Sequence, residues 1–162
     1  MIYAEIEAFA AALPRTGAVA GLDLGTKTIG VAVSDGLRAI ATPLVTIRRT
    51  KFTADAAELD RLLAGREIAG LILGLPRNMD GSEGPRAQST RAFARNLDAR
   101  APRPLAFWDE RLSTVAAERA LLEADTTRKR RGEVIDHVAA SYILQGALDR
   151  MGRIAARAGD TG

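Results

Sequence analysis

The chain has 162 residues, 47% of them hydrophobic, with no cysteine and a net charge of +3. That is enough for one domain with a proper core, while disulfides and thiolate zinc sites are excluded. No apolar run approaches the ~20 residues of a membrane span, and the N-terminus lacks the pattern of a signal peptide, so a cytoplasmic protein with no membrane partner is expected.

Residues 1–13 carry Ile2, Ile6, Phe9 and Leu13 at helical spacing before Pro14, which predicts a short amphipathic helix ahead of the domain. Ala18 to Asp23 and Thr28 to Asp35 read as two strands joined by a Gly25-Thr26-Lys27 turn. Ile40 to Arg49 continues as an antiparallel strand, with Pro43 pointing to an irregular or edge position. Thr53 to Leu63 predicts a helix, with Thr53 as N-cap and Gly65 as its stop. Ile68 to Leu75 is almost wholly apolar, the mark of a strand covered on both faces. A turn-rich loop from Pro76 to Pro85 leads into a helix over residues 86–99. Leu105 to Glu110 forms another strand, Ser113 can start a helix through Leu122, and Val134 to Arg150 forms the last long helix, with a frayed tail from about Ala155. The order predicts an α/β fold: an antiparallel meander, then parallel strands, in one mixed sheet flanked by helices. Residues 1–16 are expected to be a helical extension, 17–152 the domain and 153–162 a flexible tail.

Acids sit where such a sheet can gather them. Asp23 closes the first strand between Gly21 and Gly25, Asp109-Glu110 closes the strand from Leu105, and Asp136 lies near the start of the last helix. Carboxylates on rigid elements can hold divalent cations for attack of water on a phosphodiester. Strand alternation lets only one of Asp109 and Glu110 face such a site, and the flanking apolar residues do not decide which. The only histidine, His137, reads as packed or solvated rather than as a ligand. Lys27, Arg77, Arg86, Arg111 and the run Arg128-Lys129-Arg130-Arg131 lie beside these segments, a distribution suited to phosphate contact.

The Gly21–Asp35 hairpin suits two chemistries: ribonuclease H-type nucleases and the ATP-binding lobe of actin-like and Hsp70-like proteins. The latter needs two lobes and a second phosphate hairpin, and Gly70–Gly74 offers no Asp-Gly-Thr counterpart.

Four segments taken together carry a resemblance. They are Gly21 to Asp35, the Gly74-Leu75-Pro76-Arg77-Asn78-Met79-Asp80-Gly81-Ser82-Glu83-Gly84-Pro85 loop, Asp109-Glu110-Arg111-Leu112-Ser113-Thr114, and Asp136 to Gln145. In this order they closely resemble the YqgF (RuvX) family of ribonuclease H-fold proteins, over roughly Ala18 to Leu148. The resemblance implies a RuvC-like fold and a Mg²⁺- or Mn²⁺-dependent nuclease acting on structured RNA, in 5′-end processing of pre-16S ribosomal RNA and in the setting of ribosomal particles. Its alternatives are resolution of four-way, branched DNA junctions and a non-catalytic role in ribosome assembly. It also implies catalytic and metal-binding roles for Asp23, Glu110 (preferred over Asp109) and Asp136. Phosphate positioning would fall to Lys27, Arg77, Arg86, Arg111, Arg128, Lys129, Arg130 and Arg131. A monomer or weak homodimer is expected. Two features depart from the pattern: the N-terminal extension, and Glu133, which stands where a basic residue commonly precedes the helix acid.

Overall fold

In the computed structural model, residues 1–112 and 128–160 are described, with residues 128–135 and 160 described by backbone alone. The strands are β1 (Ile2–Tyr3), β2 (Ala18–Leu24), β3 (Thr28–Ser34), β4 (Ala41–Arg48), β5 (Ile68–Leu75) and β6 (Leu105–Asp109). They form one sheet in the order β1-β6-β5-β2-β3-β4. The helices are α1 (Ile6–Ala12), α2 (Phe52–Leu63), α3 (Pro85–Arg100) and α4 (Arg128–Asp160).

Strands β2, β3 and β4 are the antiparallel meander, and β5, β6 and β1 extend it in parallel on the other side of β2. The irregularity expected at Pro43 is a register shift between Val31 and Ala32, where Val31 pairs with Val45 but Ala32 pairs with Pro43. β4 is the edge strand, the position that tolerates proline's missing donor.

Period-two alternation splits the central strands between two apolar clusters. Leu22, Ile29, Val31, Leu71, Leu73 and Leu105 pack with Leu59 and Leu63 of α2 and Phe93 and Leu97 of α3. On the opposite face, Val19, Ala32, Ile72, Ala106 and Trp108 pack with Phe9 of α1 and with Ile143, Leu144 and Leu148 of α4. The product is a three-layer α/β/α arrangement with an apolar β5 buried between the layers, as its composition requires.

Both chain ends differ from expectation. The expected N-terminal helix is present as α1 over Ile6–Ala12, but it does not stand ahead of the domain: Ile2 and Tyr3 pair with Leu105 and Ala106, and Phe9 is completely buried. The backbone of Ile2 and Tyr3 gains an open strand edge, which outweighs extending a short helix by one turn. Residues 153–160 do not form a frayed tail, because α4 runs through to Asp160. Its last turns are rich in alanine and arginine, both strong helix formers. α4 also begins earlier than Val134, so the basic run lies in its first turns. Thr53 is not the N-cap of α2; Lys51 holds that position with no side-chain cap. The helix expected from Ser113 to Leu122 lies outside the described residues.

Candidate active site

The hairpin between β2 and β3 is the rigid base of the site. Asp23 pairs in register with Gly30, and the Gly25 N–H donates to the Thr28 carbonyl at 2.8 Å to close the turn. Asp23 is 4% exposed and shares a sheet face with Val19 and Gly21, the face covered by α4.

That helix lies hard against the hairpin. A Cβ at Gly30 would stand 1.9 Å from the Asp136 carbonyl oxygen, so glycine is the residue that lets α4 pass directly over β3. The closeness puts Asp136 next to the hairpin, where the Thr28 hydroxyl donates to Asp136 Oδ2 at 2.6 Å. His137, one residue on, points elsewhere: its Nδ1 is 2.9 Å from Thr46 Oγ1 on β4, the packed role its position predicts.

Glu110 reaches the same face from β6. The chain leaves strand geometry after Asp109 and enters a 3-10 turn over Glu110–Leu112. A Cβ on Gly74 would lie 2.8 Å from Glu110 Oε1 and 2.5 Å from Ile143 Cδ1 of α4. Gly74 follows directly on the pairing of Leu22 with Leu73, level with Asp23. Glu110 is thus directed to the α4 face beside the end of β2.

Asp109 is engaged differently. Its carboxylate accepts from the Arg111 guanidinium at 2.6 Å and from the Arg111 backbone N–H at 3.0 Å, and Arg77 lies 3.6 Å away. The Arg111 hydrogen bond holds the Asp109 carboxyl below its ordinary value, against a smaller opposing effect of burial. Asp109 therefore braces the turn and the loop behind the site.

Asp23, Glu110 and Asp136 lie on one face of the sheet, near the end of β2, after the end of β6 and on the helix that covers them. Their oxygen-only donor chemistry suits Mg²⁺ or Mn²⁺, which take few protein ligands and leave positions for water and phosphate. Among the described residues, no three acids or histidines are grouped closely enough to enclose a metal ion on their own.

The basic residues separate into groups. Lys27 is exposed at the hairpin tip. Arg86, from the first turn of α3, donates to the Leu24 carbonyl at 3.3 Å, directly after Asp23. Arg77 lies 3.3 Å from Glu83 and close to Asp109, while Arg111 is committed to Asp109. Glu83 is also held by Arg91 at 2.5 Å, so this side of the site is a network of paired charges. The backbones of residues 128–131 lie about 8–12 Å before Asp136 along the α4 axis; the side chains of Arg128, Lys129, Arg130, Arg131 and Glu133 lie outside the described residues.

Two residues of the site carry no signal in the sequence, Thr28 and Arg49. Arg49 donates from Nη1 to the Gly25 carbonyl at 2.6 Å, and its backbone N–H donates to the Lys27 carbonyl at 2.8 Å. It clamps the turn from β4 while its guanidinium lies 5.7 Å from the Phe93 ring centre. Neither partner is near it in sequence, so no local motif announces it.

A mixed sheet of this order, an antiparallel meander continued by parallel strands between two helical layers, is the ribonuclease H-like fold. The structure of Thermus thermophilus RuvC in complex with a Holliday junction substrate has the same fold, with a TM-score of 0.52 at 13% identity, over 84% of this chain and 96% of that one. The chain belongs to the RuvX family, whose model, described as a Holliday junction resolvase, matches residues 17–150. A Cereibacter sphaeroides (strain ATCC 17029 / ATH 2.4.9) protein named "Putative pre-16S rRNA nuclease" is 77% identical over 151 residues, 93% of this chain and 94% of its own. A Paracoccus denitrificans protein of the same name is 76% identical, over 93% and 96% of the two chains.

Proposed function

We propose that this protein is a divalent-metal-dependent nuclease that hydrolyses phosphodiester bonds in structured RNA, trimming the 5′ end of pre-16S ribosomal RNA in the cytoplasm. The observation that carries it is the placement of Asp23, Glu110 and Asp136 on one sheet face, in a chain 77% identical to a relative named for that substrate. No helix among the described residues is long and apolar enough to cross a membrane.

In this reading the three carboxylates hold Mg²⁺ or Mn²⁺. Ions held there would supply an activated water and would neutralise charge developing on the leaving oxygen. The chain's own part is positional. β2 holds Asp23 at a fixed height, Gly74 leaves room for Glu110, and Thr28 fixes the rotamer of Asp136. Lys27 meets backbone phosphates, and the basic sequence at the start of α4 adds positive charge for the same polyanion. Arg86 and Arg49 brace the turn behind Asp23 through Leu24 and Gly25, and Arg77 and Arg111 brace the loop through Asp109. Phosphate contacts of this kind set register without reading sequence, so substrate shape, or a precursor ribosomal particle presenting it, supplies specificity.

A four-way DNA junction is the second substrate to weigh, because the family model bears the resolvase description. The test runs wild-type protein and Asp23→Asn on a precursor 16S 5′ fragment and on a DNA junction, each with Mg²⁺, Mn²⁺ or chelator. RNA cleavage that requires metal and disappears in the variant is the expected result. Junction cleavage alone moves the protein to the resolvases, and equal cutting by Asp23→Asn overturns the mechanism.

A further inference from the structure

The loop between β5 and α3 is more ordered than its glycine-rich sequence suggests. The Asn78 N–H donates to the Ser82 carbonyl at 2.9 Å, and the Gly81 N–H to the Asn78 carbonyl at 2.9 Å. Asn78 Nδ2 donates to Ser82 Oγ at 3.0 Å. Asp80 Oδ1 accepts from the Ser82 N–H at 2.9 Å and from the Ser82 hydroxyl at 2.6 Å. These bonds hold the Asp80 carboxyl below its ordinary value, the Ser82 hydroxyl being the largest cause. Gly81 takes the left-handed backbone that closes the turn, at φ 90°.

At the tip of this turn stands Met79, with 91% of its surface exposed. Its carbonyl accepts from Arg111 Nη1 at 3.3 Å, so the turn is tied to the residue next to Glu110. The polar groups of Asn78, Asp80 and Ser82 serve to hold the turn in shape, and the side chain left facing outward is a flexible, polarisable thioether. An apolar side chain on a braced turn, tied through Arg111 to the turn that carries Glu110, is suited to contact something apolar that arrives with the substrate.

We propose that Met79 is a substrate-contacting specificity residue, packing against an unpaired or unstacked nucleobase next to the cleaved phosphate. This rests on the nuclease reading above. The aromatic face of a base is the apolar surface that a nucleic acid can offer, and thioethers pack well on aromatic rings. Apolar wedges, methionine among them, are used elsewhere to part stacked bases. The contact favours a junction, bulge or single-stranded end over a continuous helix, since only there is a base face available. It gives the protein a means of recognising a processing site by shape, without hydrogen bonds to base edges.

The chain contains three methionines, which makes oxidation a direct probe. The full-length protein, in Ca²⁺ to hold back cleavage, is treated with hydrogen peroxide alone, with the precursor 16S 5′ fragment, and with a DNA four-way junction. Oxidation of each methionine is then read by mass spectrometry, with binding followed in parallel by gel shift. Met1, 64% exposed and ion-paired through its ammonium group to Asp98, serves as the internal control. The expected result is that bound RNA protects Met79 and leaves Met1 reactive. A second arm places 2-aminopurine at successive positions of the RNA fragment. Wild-type protein should raise the fluorescence of one position, Met79→Ala should abolish that rise, and its affinity should weaken about two- to tenfold at an unchanged melting temperature. Full binding with no protection of Met79, and the same fluorescence with Met79→Ala, overturns this inference while leaving the nuclease reading intact. Protection by the junction alone keeps the wedge and changes the substrate. Absence of binding to either nucleic acid removes both.

Discussion

The Thr28 hydroxyl donates to Asp136 Oδ2 across 2.6 Å, joining residues 108 positions apart. Asp23 sits on the same hairpin, so one hydrogen bond sets the helix acid relative to the strand acid. Losing the donor leaves a part-buried carboxylate oxygen unsatisfied, at a cost of about 1–3 kcal/mol. Thr28→Val should therefore lower stability by an amount in that range, read from the urea midpoint, and raise the Mn²⁺ concentration needed for half-saturation, read by electron paramagnetic resonance of the free ion. Thr28→Ser keeps the hydroxyl and should restore both. If Val and Ser behave alike, the bond does not position Asp136.

Two glycines separate the packing of the fold from the shaping of the site. At Gly30 an added Cβ would meet the Asp136 backbone carbonyl at 1.9 Å, and only movement of α4 as a body relieves it. Gly30→Ala should cost about 3 kcal/mol or more, at the upper end of overpacking penalties. At Gly74 the added Cβ would meet the ends of two flexible side chains, Glu110 Oε1 at 2.8 Å and Ile143 Cδ1 at 2.5 Å. Gly74→Ala should cost about 1–2 kcal/mol while reducing cleavage far more than melting temperature, because the group pushed aside is Glu110. Comparable losses of activity per unit of lost stability in the two variants would show that Gly74 shapes the core and not the site.

The neighbouring acids Asp109 and Glu110 mark the boundary of what is legible in the sequence. The sheet, its order of antiparallel and parallel strands, the buried β5 and the acid-bearing ends of β2 and β6 all follow from local patterns: period-two alternation, apolar runs and glycine turns. Strand alternation does not choose between Asp109 and Glu110, because the strand ends at Asp109 and Glu110 already belongs to a 3-10 turn. The choice depends on where Arg111, Arg77 and Gly74 lie in space. The Thr28–Asp136 and Arg49–Gly25 bonds leave no sequence signal for the same reason, since each joins separate elements. The edge pairing of β1 is a further case: its two residues are too few to show a period, and only the exposed edge of β6 makes them a strand.

That difference between the two acids predicts opposite responses. Glu110→Gln should abolish cleavage with little change in stability. Asp109→Asn should retain measurable cleavage and lose the brace on the loop. The Asp109 contribution also carries a pH signature. Arg111 depresses the folded-state value of its carboxyl, so between the folded and unfolded values the unfolded chain binds more protons and stability rises with pH. The stabilisation is fully present above the ordinary aspartate value of about 3.9 and disappears as pH falls through the lower folded value. The gap in urea midpoint between wild type and Asp109→Asn should accordingly be constant from neutral pH down to that range and close below it. A gap that widens on acidification would contradict the ion-pair assignment.

The N-terminal segment offers a test of whether residues before the family match are part of the fold. The RuvX match begins at residue 17, yet Phe9 is fully buried in the cluster with Val19, Ile72, Ile143 and Leu144. Arg150 of α4 pairs with Glu7 at 2.6 Å, and β1 lies along β6. The ion pair is exposed and screened by solvent, so burial of the Phe9 ring outweighs it. Phe9→Ala should cost about 3–5 kcal/mol, and Glu7→Ala should be nearly silent. Because α1 and α4 share this cluster, the loss should also loosen the helix that carries Asp136. Hydrogen exchange in residues 136–148 should therefore quicken in Phe9→Ala, whereas exchange in α2, which belongs to the opposite cluster, should change only through global unfolding. A melting temperature unmoved by Phe9→Ala would return residues 1–16 to the status of an appendage.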